Sequence, residues 1–215
     1  MDLNNSTHRK SGFTLAEILL AMMVFAIAIT TILGLLARSI ETADTILVKD
    51  EAIALSSAVD SAMSEMDFAT AYDEVRQGSH LYAYHYRAYP NQTPNSDGTL
   101  KPYQNMTGTS MIGSDYVVVP GVRLSGDSFL SADMPARDGR LFYVELSESE
   151  ANPYSIQNGS GNLPANPDAA GSNGYPAYDS AVIVVFAEFY EVSNTTASPA
   201  SSATPVFSFN FAVRR

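Results

Sequence analysis

The chain contains no cysteine, which excludes disulfides, a thiol nucleophile and any cysteine-ligated metal. That absence leaves the compartment open, because cysteine-free proteins occur in all of them. Basic residues are scarce, with 12 Lys and Arg against 23 Asp and Glu and a net charge of −11. A surface of this sign repels phosphate, so a general nucleic-acid binder is not expected. Histidine is nearly missing too. His80 and His85 differ by an odd number of positions on an expected strand and so face opposite sides, while His8 stands far from both, which argues against a histidine metal site. No G-x-S-x-G elbow, no G-x-x-x-x-G-K-[ST] loop and no G-x-G-x-x-G fingerprint occurs. On this reading no catalytic residue, metal or cofactor is assigned, and the chain is not expected to be an enzyme.

Against these absences stands one long apolar run. From Phe13 to Ala37 the only ionisable residue is Glu17. About 20 helical residues at ~1.5 Å each cover a hydrocarbon core of ~30 Å, so the run is long enough to span a bilayer. A secretory signal places its small-residue cleavage site after the apolar region, which is then discarded. Here the small residue, Gly12, comes first, and no A-x-A-like site follows closely, since Ala37 runs on into Arg38 and a helical pattern. Cleavage at Gly12 would therefore remove a short polar leader and keep the apolar segment. It would also remove Asp2, Arg9 and Lys10, taking the net charge to −12. Arg9 and Lys10 are expected to stay cytoplasmic and the residues after Ala37 to cross, with Arg38 a single opposing charge. Inside an apolar helix an ionised carboxylate costs ~2.5 to 3.5 kcal/mol on insertion scales. Glu17 must then either stay hydrated near the interface or find a partner.

The residues Gly12-Phe13-Thr14-Leu15-Ala16-Glu17, preceded by Lys10 and followed by the apolar run, resemble the class III signal of type IV pilins and type II secretion pseudopilins. The resemblance covers roughly residues 9 to 40. It implies that prepilin peptidase cuts after Gly12 and N-methylates Phe13. It also implies that Glu17 pairs with a Phe13 amine, its own or a neighbour's, as subunits join a filament. Gly34-Leu35-Leu36-Ala37-Arg38-Ser39 and the Ala-rich stretch beyond are similar to minor pilins of the PilV and GspI type, although the lack of cysteine departs from those that carry a disulfide. Gly34 stands where many major pilins have a helix-weakening proline. A glycine costs ~1 kcal/mol relative to alanine in a helix, so with Thr30 and Thr31 it marks a bend, or else it admits a close neighbour. The implied partners are the peptidase, other pilin or pseudopilin subunits and inner-membrane lipid. The implied location is the bacterial inner membrane, single-pass with the C-terminal domain extracytoplasmic, and then a pilus or pseudopilus. Some major pseudopilins hold calcium in a loop; Asn95-Ser96-Asp97-Gly98 and Asn166-Pro167-Asp168 offer oxygens but lack the full D-x-[DN]-x-[DN]-G pattern, and they are read as turns. The alternative is a stand-alone extracytoplasmic binding module held by an uncleaved signal anchor.

Beyond the apolar run, one helix is predicted to continue to about Asp67, with Leu47, Ala54, Leu55, Ala58, Val59, Ala62 and Met66 recurring at three- and four-residue steps. After Met66 the pattern turns to strands, at His80 to Tyr89, Tyr116 to Val119, Leu141 to Leu146, Ala181 to Val192 and Val206 to Val213. Ser193 to Thr204 reads as the long tip of a hairpin joining the last two. Tyr82, Tyr84 and Tyr86 share one face, opposite Leu81, Ala83, His85 and Arg87. That stripe either packs against the helix or across strands, or it binds a ligand. The expected fold is α+β: a long N-terminal helix, membrane-spanning in its first half, packed by its second half on an antiparallel sheet of four or five strands. The expected segments are a leader at 1–12, a transmembrane and filament-core helix at 13–37, its extracytoplasmic continuation at 38–68 and a globular sheet domain at 69–215.

Overall fold

A computed structural model describes residues 14–103, 116–149, 168, 178 and 180–215. The leader, Phe13 and most of the loop after Ser149 lie outside the described residues. Helix α1 runs from Leu15 to Glu65 and α2 from Phe68 to Gln77. Strands β1 (His80–Ala88) and β2 (Val117–Leu124) follow, then α3 (Ser128–Asp133) and a 3-10 turn at Met134–Ala136. Strands β3 (Arg137–Glu148), β4 (Val182–Val192) and β5 (Phe207–Arg214) complete the chain. The five strands form one antiparallel sheet in the order β2-β1-β3-β4-β5, giving an α+β, pilin-like arrangement. Contacts divide the chain into two compact units, Met1–Ile46 and Leu47–Arg215.

In the second unit the core lies between the helices and one face of the sheet. Helix α1 contributes Val48, Ala52, Leu55, Val59 and Met63, and α2 contributes Phe68, Ala71, Tyr72 and Val75. The sheet answers with Leu81 and Ala83 from β1, Phe142, Val144 and Leu146 from β3, Val185, Ala187 and Phe189 from β4, and Phe211 from β5. Fully burying a side chain such as Leu55 or Met63 contributes ~1.5 to 3 kcal/mol. The hairpin expected at the end of the chain is present, pairing Val182 with Arg214 and Phe189 with Phe207.

Two expectations need correction. The buried stripe of α1 is rotated from the one read in the sequence: Leu47 and Ala54 are exposed, and Val48, Ala52 and Met63 take their place. This part of α1 is apolar on two adjacent faces, so periodicity alone does not fix which one turns inward. Secondly, strand-like structure does not follow directly after Met66. Asp67 caps α2 by accepting from the Thr70 N–H at 3.3 Å, Phe68, Ala71, Tyr72 and Val75 give it a buried face, and Gly78 stops it at φ +64°. Of the readings open for Tyr82, Tyr84 and Tyr86, packing across strands is the one found, and packing against α1 is not. They lie on the other sheet face, where they form a second core with Ala88, Leu130 and Leu141 beside α3 and the 3-10 turn. Strand β2 also runs past Pro120 to Leu124, because as an edge strand it tolerates a residue that cannot donate to a ladder.

A carboxylate fixes the rotation of α1. Between Tyr84 and Tyr86 the β1–β3 register shifts, and Asp138, Gly139 and Arg140 stand opposite His85. Glu51 reaches into this bulge, where its Oε1 accepts the Arg140 N–H at 3.0 Å and lies 3.6 Å from His85 Nδ1. Gly139 has φ +93°, and a Cβ there would sit 2.5 Å from Glu51 Oε1. With Glu51 seated, the neighbouring turns present Val48, Ala52 and Leu55 to the sheet.

The second core is held by a buried cation. Arg123 is 5% exposed and its Nε donates to Asp133 Oδ2 at 3.1 Å, while its other nitrogens engage Asp97 and the Thr99 hydroxyl. Tyr84 donates its hydroxyl to the same Asp133 oxygen at 2.7 Å, and Tyr86 donates to the Leu100 carbonyl at 2.9 Å. Burial, with Asp133 nearby, pushes the Tyr86 phenol up to about 12 and holds that of Tyr84 higher still.

Gly139→Ala is expected to lower the unfolding free energy by ~1 to 3 kcal/mol in a denaturant titration, because it combines a positive φ with loss of the space Glu51 occupies. Arg123→Met strands Asp133 in the core and should cost more, ~3 to 5 kcal/mol. Because the two tyrosines have raised folded-state pKa values, their contribution is complete below pH ~10 and is lost as pH climbs above it. In an ultraviolet titration their phenolate absorbance should therefore appear together with unfolding, not near pH ~10 as for exposed tyrosines.

Candidate functional site

The candidate site is the start of α1. Thr14 precedes the helix and Glu17 lies in its first turn. The Glu17 N–H donates to Thr14 Oγ1 at 3.3 Å, and the Thr14 N–H donates back to Glu17 Oε2 at 2.8 Å. The Thr14 hydroxyl donates to the same Oε2 at 3.0 Å. This reciprocal pair is a capping box, T-x-x-E, which satisfies two backbone N–H groups at the helix start and places a negative charge at the positive end of the helix dipole. Both bonds fall on one carboxylate oxygen. Among the described residues Glu17 Oε1 has no hydrogen-bond partner. Thr14 was not singled out in the sequence, although the T-x-x-E spacing before an apolar run is the signal that identifies such a cap.

From here α1 is apolar on every side. Leu15, Ile18, Leu19, Met22, Phe25 and Leu35 are all exposed, and among the described residues α1 is the one helix long and apolar enough to cross a membrane. Thr30 and Thr31 donate their hydroxyls to the carbonyls of Ala26 and Ile27 at 2.8 and 2.9 Å, so neither leaves an unsatisfied polar group on the apolar surface. Gly34 follows within the same unbroken helix, and a Cβ placed there meets nothing within 4 Å.

The remaining candidate residues are dispersed. Gly12, Phe13, His8, Asn166 and Pro167 lie outside the described residues. His80 and His85 sit on opposite sheet faces, the first stacked on Tyr143 at 4.3 Å and the second beside Glu51. Asp97 turns its own loop by accepting from the Thr99 N–H and hydroxyl, and its carboxylate also pairs with Arg123. Asp168 pairs with Arg215 at 2.5 Å. The three tyrosines are buried and their hydroxyls donate to the Thr195 carbonyl, Asp133 Oδ2 and the Leu100 carbonyl, which leaves no open aromatic stripe there.

A capped apolar helix of spanning length at the start of an α+β chain is the arrangement of a membrane-anchored, pilin-type subunit. The family model described as the prokaryotic N-terminal methylation motif matches residues 7–33, so the chain carries the class III prepilin signal of type IV pilins and pseudopilins at its N-terminus. Neither a curated protein nor a solved structure matches the chain.

Thr14→Val is expected to remove the cap and cost ~1 kcal/mol of local helix stability, read as faster amide exchange in the first turn of α1 while exchange beyond Leu47 is unchanged.

Proposed function

We propose that this chain is a minor pilin or pseudopilin of the PilV and GspI type, a structural subunit of a type IV pilus or type II secretion filament. The observation that carries the proposal is the coincidence of the methylation motif, residues 7–33, with the capped start of an apolar helix. Prepilin peptidase cuts after Gly12, discards residues 1–12 and N-methylates Phe13. Residues 13–37 hold the chain in the bacterial inner membrane and later form the filament core, and residues 38–65 continue the helix on the extracytoplasmic side. Residues 69–215 provide the globular domain.

Glu17 is the assembly residue. Its Oε2 is committed to Thr14, and Oε1 remains to accept a Phe13 ammonium from the same or a neighbouring chain. In an apolar surrounding an ion pair at that position is favoured over a lone carboxylate by several kcal/mol, so the pair sets the axial register between subunits. The surface of α1 supports packing by other helices beyond the bilayer as well. Ile40, Leu47 and Ile53 are 63%, 62% and 50% exposed although they lie past the spanning run, and a helix held only as a membrane tether has no use for them. Gly34, after the two back-bonded threonines, is the place where the helix bends as it packs.

Expression with prepilin peptidase, followed by intact mass and N-terminal sequencing, should yield a chain that begins at N-methylated Phe13. Glu17→Ala should abolish or strongly reduce entry into filaments, scored by shearing and immunoblotting, without changing the melting of the Leu47–Arg215 unit. A chain that keeps Met1 beside an active peptidase, or a silent Glu17→Ala, would instead support a binding module on an uncleaved anchor.

A further inference from the structure

Arg87 on β1 is a cation without a counter-charge. Among the described residues no Asp or Glu forms an ion pair with it, and its Nε is buried with no hydrogen-bond partner. In a chain of net charge −11 that is a local exception. The carboxylate nearest along this sheet face, Glu51, is taken up by His85 and Arg140. The Arg87 guanidinium instead lies over the ring of Tyr116, 5.8 Å from its centroid, just before β2 begins. Tyr116 in turn meets Tyr103 at 5.7 Å, and Tyr103 meets Tyr89 at 4.9 Å. Aromatic rings compensate a cation in part and leave the Nε–H without an acceptor.

Beside this cation β2 presents an open edge. It stands first in the sheet order and has β1 as its one neighbour among the described residues. Tyr116, Val117 and Val118 are 49%, 38% and 49% exposed, and outside α1 they are the large apolar side chains left so among the described residues. The hydrogen-bond phase of the edge follows from β1. The Tyr103 N–H donates to Arg87 O at 2.7 Å and the Tyr89 N–H donates to Lys101 O at 3.0 Å, on the side of Ala88 that carries the Pro102 bridge and away from β2. Ala88 therefore bonds Val117, and by the alternation of an antiparallel pair the N–H and C=O of Val118, opposite Arg87, turn outward. Pro120 falls two positions on in the same phase, where its missing N–H costs no bond to β1 and closes the open stretch.

We propose that β2 pairs, along Tyr116 to Val118, with a short extended segment of a different protein that carries a carboxylate. A residue bonded to Val118 across the edge shares the sheet face of Val118 and Arg87, so an Asp or Glu there meets the guanidinium in a charge-assisted pair. Residues on either side of it turn to the opposite face and cover Val117. A second copy of this chain is a poor occupant, because its edge strands, β2 and β5, contain no Asp or Glu. A lipid phosphate is a poor occupant too. It matches the cation, but it brings no donor and acceptor at strand spacing for the backbone of Val118. This inference stands independently of N-terminal processing and of filament entry.

The test uses the full chain in neutral detergent micelles, titrated calorimetrically with the blocked pentapeptide Thr-Val-Glu-Val-Thr and with its Thr-Val-Gln-Val-Thr counterpart. The Glu peptide should bind ~tenfold or more tightly than the Gln peptide, both to the parent and to Lys49→Met, which removes one positive charge from an exposed position of α1. In Arg87→Met the two peptides should bind within ~twofold of each other. Val118→Pro deletes the outward N–H and no bond to β1, and should weaken both peptides ~fivefold at an unchanged melting temperature. Absence of binding to the parent, equal affinity of the parent for the two peptides, or an unchanged ratio in Arg87→Met would overturn the proposal. A lowered melting temperature in Val118→Pro would show that N–H bonded within the sheet and overturn the open edge. Displacement of the Glu peptide by phosphatidylglycerol added to the micelles would assign the cation to a headgroup instead. A peptide-free dimer that Val118→Pro dissociates would assign the edge to a second copy, and either result overturns the proposal.

Discussion

One helix has to satisfy three environments along its length, and most of the structure answers that constraint. Helix α1 has 51 residues. Its first part is apolar all round, a composition stable only in lipid or among other apolar helices. Its last part gives a single stripe, Val48 to Met63, to the sheet. Between and beside these lie Ile40, Leu47 and Ile53, apolar yet exposed. A soluble domain alone does not require them, and a bilayer anchor alone does not reach them.

Because the apolar surface of α1 is broader than the stripe the sheet covers, the fold needs a device to choose the rotation, and hydrophobicity cannot supply it. Leu47 and Val48 are equally suited to burial by composition. The choice is made by Glu51, whose carboxylate finds a backbone N–H and two basic neighbours in the β3 bulge and would be poorly served elsewhere on the sheet. A directional polar contact thus sets the register of a non-directional apolar one.

This division explains what was legible in the sequence. The apolar run, the cap signature at Thr14 and Glu17, and the alternation in HLYAYHYRAY and FSFNFAV are local patterns, and each reads directly as the element it forms. Helix α2 was legible as well, since Asp67, the spacing of Phe68, Ala71, Tyr72 and Val75, and Gly78 are ordinary start, face and stop signals, though brief ones. The contacts of Arg123 were not. Its partners, Asp97, Thr99 and Asp133, come from a loop and a short helix separated from it in sequence, and only the paired sheet brings them together. The same holds for the outward face of the tyrosines. Period-two alternation says that Tyr82, Tyr84 and Tyr86 share a side, and it cannot say which side α1 will take.

The acidic balance of the chain then acquires a location. Many of its carboxylates have internal work: Glu17 caps a helix, Glu51 seats α1, and Asp97 and Asp133 neutralise Arg123. Glu145 and Glu188 face each other on adjacent strands beside His80, whose pKa is lowered by burial against the pull of Glu145. An internal ion pair would have been easy to supply by one basic residue at Ser208 or Asn210, both exposed on the adjacent strand.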